Sequence, residues 1–376
     1  MRIALIYHQF VSTGGMEKYL VAFAGRLLEM GHDLEVVTAR TDPATEAMPV
    51  RFHRLPRWPP WPRWPMASLR LADFARRAEA LARALPADIT IGFGRTVAHD
   101  VHRAGGGCHA AYSRLLPPVK RLSWKNRLEL SLEAQLYTSG KTRHFVVNSA
   151  KVAAELQDTY GVPPDRMTVI HTAVDTTLFR PAESAAEREA ARASFGFRPG
   201  ECVLLFVSSG HRRKGLGVLL EALRLARDVE GLTLCIAGQD LSRAERRVLE
   251  RHQLSPRVRS LGPRDDLPEL YRAADFFVHP TLYDACANTV LQSMASALPG
   301  IISARDGAAE FIDPGVNGFL LENPADPAGL SAFLRDAAAL SEPRRTAIGA
   351  RARATVLPLT WQTHLEKWER LFAALS

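Results

Sequence analysis

Two adjacent cations, Arg213 and Lys214, and an aspartate and a glutamine with seven residues between them, Asp284 and Gln292, are the side chains of this 376-residue chain best suited to handling a phosphorylated sugar. The cations lie in "SSGHRRKGLGVLLEAL", after an apolar run that ends at Val207 and before a helical pattern. Placed there, they can hold a diphosphate leaving group and offset its developing charge without a metal. A solvated charged loop is the competing interpretation. Asp284 lies in "HPTLYDACANTVLQSMASALPG", in a predicted loop ahead of a predicted helix from Asn288 to Ala297. A carboxylate in that loop can accept bonds from sugar hydroxyls, and an amide at Gln292 can bond a ribose. The first helical amides, those of Asn288, Thr289 and Val290, add an anion site reinforced by the helix dipole. A plain capping or turn role for Asp284 stays open.

Positioning these groups requires a scaffold, and the chain shows a strand-then-helix rhythm twice. "RIALIYH" is a short β-rich run, and a Gly14-Gly15 turn leads into a helix whose Leu20, Phe23, Ala24, Leu27 and Leu28 recur at helical spacing. Glycines at such a turn let the backbone approach a phosphate or sugar that a Cβ would block. "DLEVVTA", "DITIGFG", "HFVVNSA" and "MTVIHTA" continue the first half; "CVLLFVSSG", "LTLCIAGQD", "VRSLGP", "DFFVHP" and "LPGIISA" make up the second. Strands alternating with helices predict an α/β chain of two Rossmann-like domains, residues 1–175 and 176–355, facing a central cleft. Residues 356–376 read as an amphipathic helix crossing back to the first domain.

Composition narrows the class. The length suits two domains, and 47% hydrophobic residues exclude a disordered or collagen-like chain. Cys108, Cys202, Cys235 and Cys286 lack metal-ligand spacing and read as reduced thiols. No signal peptide and no run approaching 18 apolar residues is found, which predicts a cytoplasmic protein, soluble or peripheral to a membrane. Residues 1–180 hold 24 Lys+Arg against 16 Asp+Glu, so the first half carries the whole excess of +8 and the second is neutral. Without a nucleic-acid motif, that excess points to an anionic surface or an acidic substrate, and not to nucleic acid. Lys120, Arg121, Trp124 and Lys125 open a basic segment with a leucine stripe at Leu128, Leu132 and Leu136, suited equally to a membrane-surface helix and to an ordinary packed helix. Arg57, Trp58, Trp61 and Trp64, in "RWPPWPRWP", suit a membrane interface or sugar stacking.

At their relative positions, the Gly14-Gly15 loop, "HRRKG" and "YDACANTVLQSMASALPG", with "GAAEFIDPGVNGFLLE" after them, resemble the retaining nucleotide-sugar glycosyltransferases of family 4, whose two-domain architecture is the GT-B fold. The resemblance covers essentially the whole chain. "RAGGGCHAAY" and "HRRKGLGVLLEAL" are similar to bacterial enzymes that add glucose to heptose in the lipopolysaccharide inner core. It implies that Arg213 and Lys214 bind the donor diphosphate, Asp284 the donor sugar and Gln292 the ribose. His109 would lie near the anomeric centre, and Gly14 and Gly15 near phosphate and acceptor. Base contacts would be largely backbone, around Gly238 and Leu261. The implied reaction moves glucose from UDP-glucose to a lipid-linked saccharide on the anionic cytoplasmic face of the inner membrane. It needs no cofactor and no metal.

Two departures bear on this expectation. The family carries glutamates where this chain has Asp284 and Gln292. The aspartate keeps the charge on a shorter stem, whereas the glutamine loses a charge-assisted bond about twice as strong as a neutral one. That loss should raise the donor KM more than it lowers kcat, since a ribose contact is alike in ground and transition states. No paired carboxylates for a covalent glycosyl intermediate are found, in keeping with front-face attack assisted by the departing diphosphate. A non-catalytic sugar-nucleotide or membrane-binding protein remains the alternative. An epimerase or phosphorylase would need an acid poised for proton abstraction or a lysine-bound cofactor, and neither motif is found.

Overall fold

The computed structural model describes residues 1–55 and 66–375, so Arg57, Trp58, Trp61 and Trp64 lie outside the described residues. The chain divides into two units, Met1–His171 together with the residues from Glu366 onward, and Thr172–Leu365. The division falls at His171/Thr172 and not after residue 175, and the return to the first unit begins at Glu366 and not at 356.

The first unit is built on β1 (Arg2–Ile6), β2 (Asp33–Thr38), β3 (Arg51–Arg54), β4 (Ile89–Gly92), β5 (His99–Arg103), β6 (Thr142–Val147) and β7 (Met167–Val169). They form one sheet in the order β3-β2-β1-β4-β5-β6-β7, with every pairing parallel. A parallel sheet is covered on both faces, which is why β1 reads as a continuous apolar run: Ile3, Ala4, Leu5 and Ile6 are all buried. Its register sets Ile3 beside Leu34 and Ile89. Helix Gly15–Glu29 turns Leu20, Phe23, Ala24 and Leu27 toward this sheet.

In the second unit, β8 (Cys202–Ser208), β9 (Leu232–Gly238), β10 (Val258–Gly262), β11 (Phe276–His279), β12 (Gly300–Ser303) and β13 (Phe319–Leu321) form a parallel sheet in the order β10-β9-β8-β11-β12-β13. The central neighbours β8 and β11 end side by side, so the loops that follow them emerge at the same place, the carboxyl edge where open sheets bind ligands. The predicted helix 288–297 ends early, at Ala295, because Ala297 adopts a left-handed φ of 53° and the Leu298 amide turns back to the Ser293 carbonyl at 2.9 Å.

The last helix, Trp361–Leu375, starts in the second unit and ends in the first. Trp368 on it is fully buried, with its ring 5.0 Å from Phe23 and 5.6 Å from Phe372. Glu369 meets His32 at 3.0 Å. Replacing Trp368 with alanine should destabilise the protein by ~3–5 kcal/mol, the usual range for a buried large aromatic. Thermal unfolding checks this, and an unchanged midpoint would mean that the helix does not fasten the first unit.

Candidate active site

The loop after β8 contains one helical turn, His211–Lys214, closed by Gly215 at φ 82°. A Cβ on Gly215 would fall 2.0 Å from the Pro280 carbonyl oxygen, so only glycine lets this loop lie against the one after β11. Across that close approach the predicted cations meet the predicted carboxylate. Arg213 donates through Nη1 to Asp284 Oδ2 at 3.1 Å and to the Tyr283 carbonyl at 2.9 Å, and Lys214 Nζ donates to the same Asp284 Oδ2. Lys214 and Asp284 are both nearly buried. Burial alone would raise the Asp284 pKa, but the charges of Lys214 and Arg213 outweigh it and hold the group down at about 2. Asp284 is therefore an anion throughout the neutral range. Stability from its folded-state ionisation is complete above the usual carboxylate pKa of about 4 and is lost as the pH falls through about 2.

Two residues not singled out in the sequence complete this network. Asp306, fully buried, accepts at Oδ1 from the amides of Ala287 (3.0 Å) and Ala308 (2.8 Å), fixing the end of the Asp284 loop where helix Asn288–Ala295 begins. Its Oδ2 lies 3.1 Å from Nε2 of the fully buried His279. The same nitrogen lies 3.5 Å from Lys214 Nζ. Burial and then the Lys214 charge lower the His279 pKa, so the imidazole is neutral. His279 shows in the sequence only as a polar side chain at the end of the apolar run Phe276–Val278, and Asp306 only as one polar residue among Ser303, Arg305 and Gly307. His279, Asp284 and Asp306 could by type and proximity hold a metal ion, but the Lys214 ammonium already supplies a cation to Asp284.

Gln292 and Thr289 both face Tyr271, whose hydroxyl donates to the Thr289 carbonyl (3.1 Å) and to Gln292 Oε1 (3.4 Å). Of the three amides expected to face a ligand, that of Val290 instead bonds the Ala287 carbonyl at 3.0 Å, because the helix tightens in its first turn. Asn288 and Thr289 are half-buried at the helix start. Gly238 ends β9 at φ 108°, where a Cβ would lie 2.2 Å from the Ser208 carbonyl oxygen, so the site needs glycine. Leu261 lies in β10, and its ring of neighbours includes the unit's core.

The first unit holds the other predicted residues. Gly14, at φ 108°, precedes helix Gly15–Glu29, and a Cβ on it would collide with the Glu17 carboxylate. His109 opens the short helix His109–Ser113, and its Nε2 lies 2.9 Å from Asn126 Oδ1 and 3.2 Å from Glu129 Oε2. Its backbone amide, with that of Ala110, donates to fully buried Glu133 at 2.7 and 2.8 Å. Glu133 also accepts from Arg95 (2.8 Å) and the Tyr160 hydroxyl (2.7 Å). Helix Trp124–Thr138 thus carries a polar stripe, Asn126, Glu129 and Glu133, that the leucine pattern concealed. Leu132 and Leu136 of that pattern are buried, so its carboxyl half packs as an ordinary helix. Trp124 is 60% exposed, and it stands with exposed Leu122, Val119, Lys120, Arg121 and Lys125.

Residues 13–178 match the family model for Glycosyltransferase Family 4, and residues 201–338 match that for Glycosyl transferases group 1. The chain belongs to these glycosyltransferases. Among curated relatives, this glycosyltransferase is 25% identical over 368 residues to the lipopolysaccharide glucosyltransferase WaaG of Escherichia coli, covering 94% of this chain and 93% of the relative. It is 29% identical over 365 residues to a probable transglycosylase of Burkholderia thailandensis, covering 95% and 92%. Among solved structures, WaaG superposes with a TM-score of 0.84 at 23% identity over 98% of this chain and 99% of its own. Anabaena HepE in complex with UDP-glucose superposes at 0.76 with 18% identity, over the whole of both chains. The two parallel sheets of this glycosyltransferase are accordingly those of the GT-B fold.

If Lys214 and Asp284 act as one buried unit, Lys214→Met and Asp284→Asn should each destabilise the glycosyltransferase, while the double variant loses less than the sum. A coupling energy of ~0.5–3 kcal/mol is expected from a double-mutant cycle in urea. Strict additivity would show that the two charges do not depend on each other.

Proposed function

We propose that this glycosyltransferase moves glucose from UDP-glucose, with retention of configuration, to a heptose of a lipid-linked lipopolysaccharide core at the cytoplasmic face of the inner membrane. The observation that carries the reading is the Arg213–Lys214 pair closing on Asp284 at the carboxyl ends of β8 and β11. Two cations there match the negative charge of a nucleoside diphosphate, and a leaving diphosphate gains more from them than a bound ground-state donor does. In the transfer, the bond from glucose C1 to the phosphate oxygen breaks and a bond from C1 to an acceptor oxygen forms on the same face. The acceptor hydroxyl proton passes to the departing diphosphate, so no protein base is needed. The cations on Asp284 let this proceed without a metal. Support for glucose and for a lipopolysaccharide acceptor comes from the similarity to the lipopolysaccharide glucosyltransferase WaaG, which extends over 93% of that relative.

Location at the membrane is supported by the exposed apolar side chains of Val119, Leu122 and Trp124 beside Lys120, Arg121 and Lys125, a composition suited to an anionic lipid surface. Among the described residues, no helix is long and apolar enough to cross a membrane. Asp284 and Gln292 in place of two glutamates motivate the second reading, a donor-binding protein weakened in catalysis.

Mass-spectrometric assay of sugar transfer from UDP-, ADP- and GDP-sugars to a purified heptose-containing lipid core tests the proposal. UDP-glucose is expected to give a product one hexose heavier, lost with Lys214→Ala. Gln292→Glu should lower the UDP-glucose KM roughly fivefold at unchanged kcat, the effect of restoring about 1 kcal/mol of charge-assisted bonding. Nucleotide binding with no transfer from any donor would favour the second reading.

A further inference from the structure

Tyr271, on the short helix Leu267–Ala273, is 1% exposed. Its ring meets Phe179 edge-on at 5.7 Å and lies 5.9 Å from Phe277, and packing this close keeps the phenol from swinging to follow a neighbour. Burial pushes its pKa up, so the hydroxyl keeps its proton across the neutral range. That single proton has two oxygens within reach, the Thr289 carbonyl at 3.1 Å and Gln292 Oε1 at 3.4 Å. The Thr289 carbonyl takes it, being nearer and able only to accept. Gln292 differs, since the oxygen and nitrogen of a carboxamide have nearly the same shape and a half-turn of the group exchanges them. With the nitrogen inward, Nε2 donates to a lone pair of the phenol oxygen, and Oε1 points away from Tyr271. Tyr271 is the only hydrogen-bond partner of the half-buried Gln292 side chain among the described residues, so no other contact opposes that orientation.

We infer that Tyr271 is a positioning residue of the donor site, selecting the carboxamide orientation in which Gln292 Oε1 accepts the hydroxyls of the nucleotide ribose. The inference rests on the reading of Arg213 and Lys214 as a diphosphate site and carries it one group further along the donor. Gln292 lies one turn past Asn288, about 6 Å along the helix axis. A ribose is the next group of a nucleotide whose diphosphate is held where that helix begins. It brings two neighbouring hydroxyls whose protons need acceptors once water is excluded. A carbonyl oxygen has two lone pairs for them, whereas an amino group turned outward would leave both protons unmatched. A glutamate at 292 would need no such selection, because either carboxylate oxygen accepts. The tyrosine hydroxyl thus gives a glutamine the one property of a glutamate that the contact requires.

Calorimetric titration of UDP and 2′,3′-dideoxy-UDP into the full chain tests it, because the ratio of their dissociation constants reads the ribose hydroxyls alone. The wild type should favour UDP about tenfold, a difference of ~1.4 kcal/mol. Tyr271→Phe keeps the ring and removes the hydroxyl. It should lower that ratio to about threefold or less while dideoxy-UDP binds as before. In a Gln292→Glu background, where the two oxygens are equivalent, Tyr271→Phe should leave the ratio unchanged. A wild-type ratio in Tyr271→Phe would overturn the inference. So would a fall of the same size in both backgrounds, which would mark the hydroxyl as structural. If Tyr271→Phe does not fold, Gln292→Met decides: loss of the ratio supports the ribose contact and its retention overturns it. The donor reading is judged separately. Equal binding of UDP and dideoxy-UDP by the wild type removes the ribose contact and leaves the diphosphate site standing, whereas binding of neither removes the donor reading and the inference together.

Discussion

A shared, nearly buried carboxylate governs the second unit. Asp284 and Lys214 have both been withdrawn from water, and either charge left alone there would be strongly unfavourable. Their pairing ties the loop after β8 to the loop after β11, across strands that are hydrogen-bonded neighbours. The remaining polar groups arrange themselves around that constraint. Arg213 adds a second cation, His279 packs neutral against Lys214, and Asp306 holds the backbone that carries Asp284 toward its helix. An incoming diphosphate would find two cations whose positions are already fixed, and would compete with Asp284 for them. Such preorganisation removes the reorganisation that flexible surface lysines would require.

The first unit has a counterpart in Glu133. One fully buried carboxylate takes bonds from Arg95, from two successive amides at the start of the His109 helix, and from Tyr160. Four donors on one carboxylate compensate its burial, and they also set where His109 begins its helix. His109 is thereby positioned from both ends, by its backbone through Glu133 and by its ring through Asn126 and Glu129.

Much of this was legible from the residues. Buried parallel strands are apolar along their whole length, so "RIALI" and "CVLLFV" announce themselves, and the helix between β1 and β2 shows its period without help. The cations and Asp284, some seventy residues apart in sequence, were recognisable because each sits at a strand-to-helix junction, and the fold brings such junctions together. Asp306 and His279 were not legible, since a histidine closing an apolar run and an aspartate in the loop Ser303–Gly307 carry no sign of each other. The stripe Asn126, Glu129 and Glu133 was hidden beside the leucines of the same helix: sequence periodicity shows which face is apolar but not that a polar face is also buried. The early end of helix Asn288–Ala295 was equally invisible, because alanine at Ala297 gives no hint of a left-handed backbone.

The account turns on the claim that Arg213 and Lys214, held by Asp284, form a diphosphate site. Titration calorimetry of uridine, UMP and UDP into the wild-type chain and Lys214→Met measures it most directly. Affinity is expected to climb steeply from uridine to UDP in the wild type, and most of that gain should vanish in the variant while uridine binding stays the same. If uridine and UDP bound the wild type alike, or if the variant kept the full gain, the buried pair would be a structural clasp and the diphosphate would be held elsewhere.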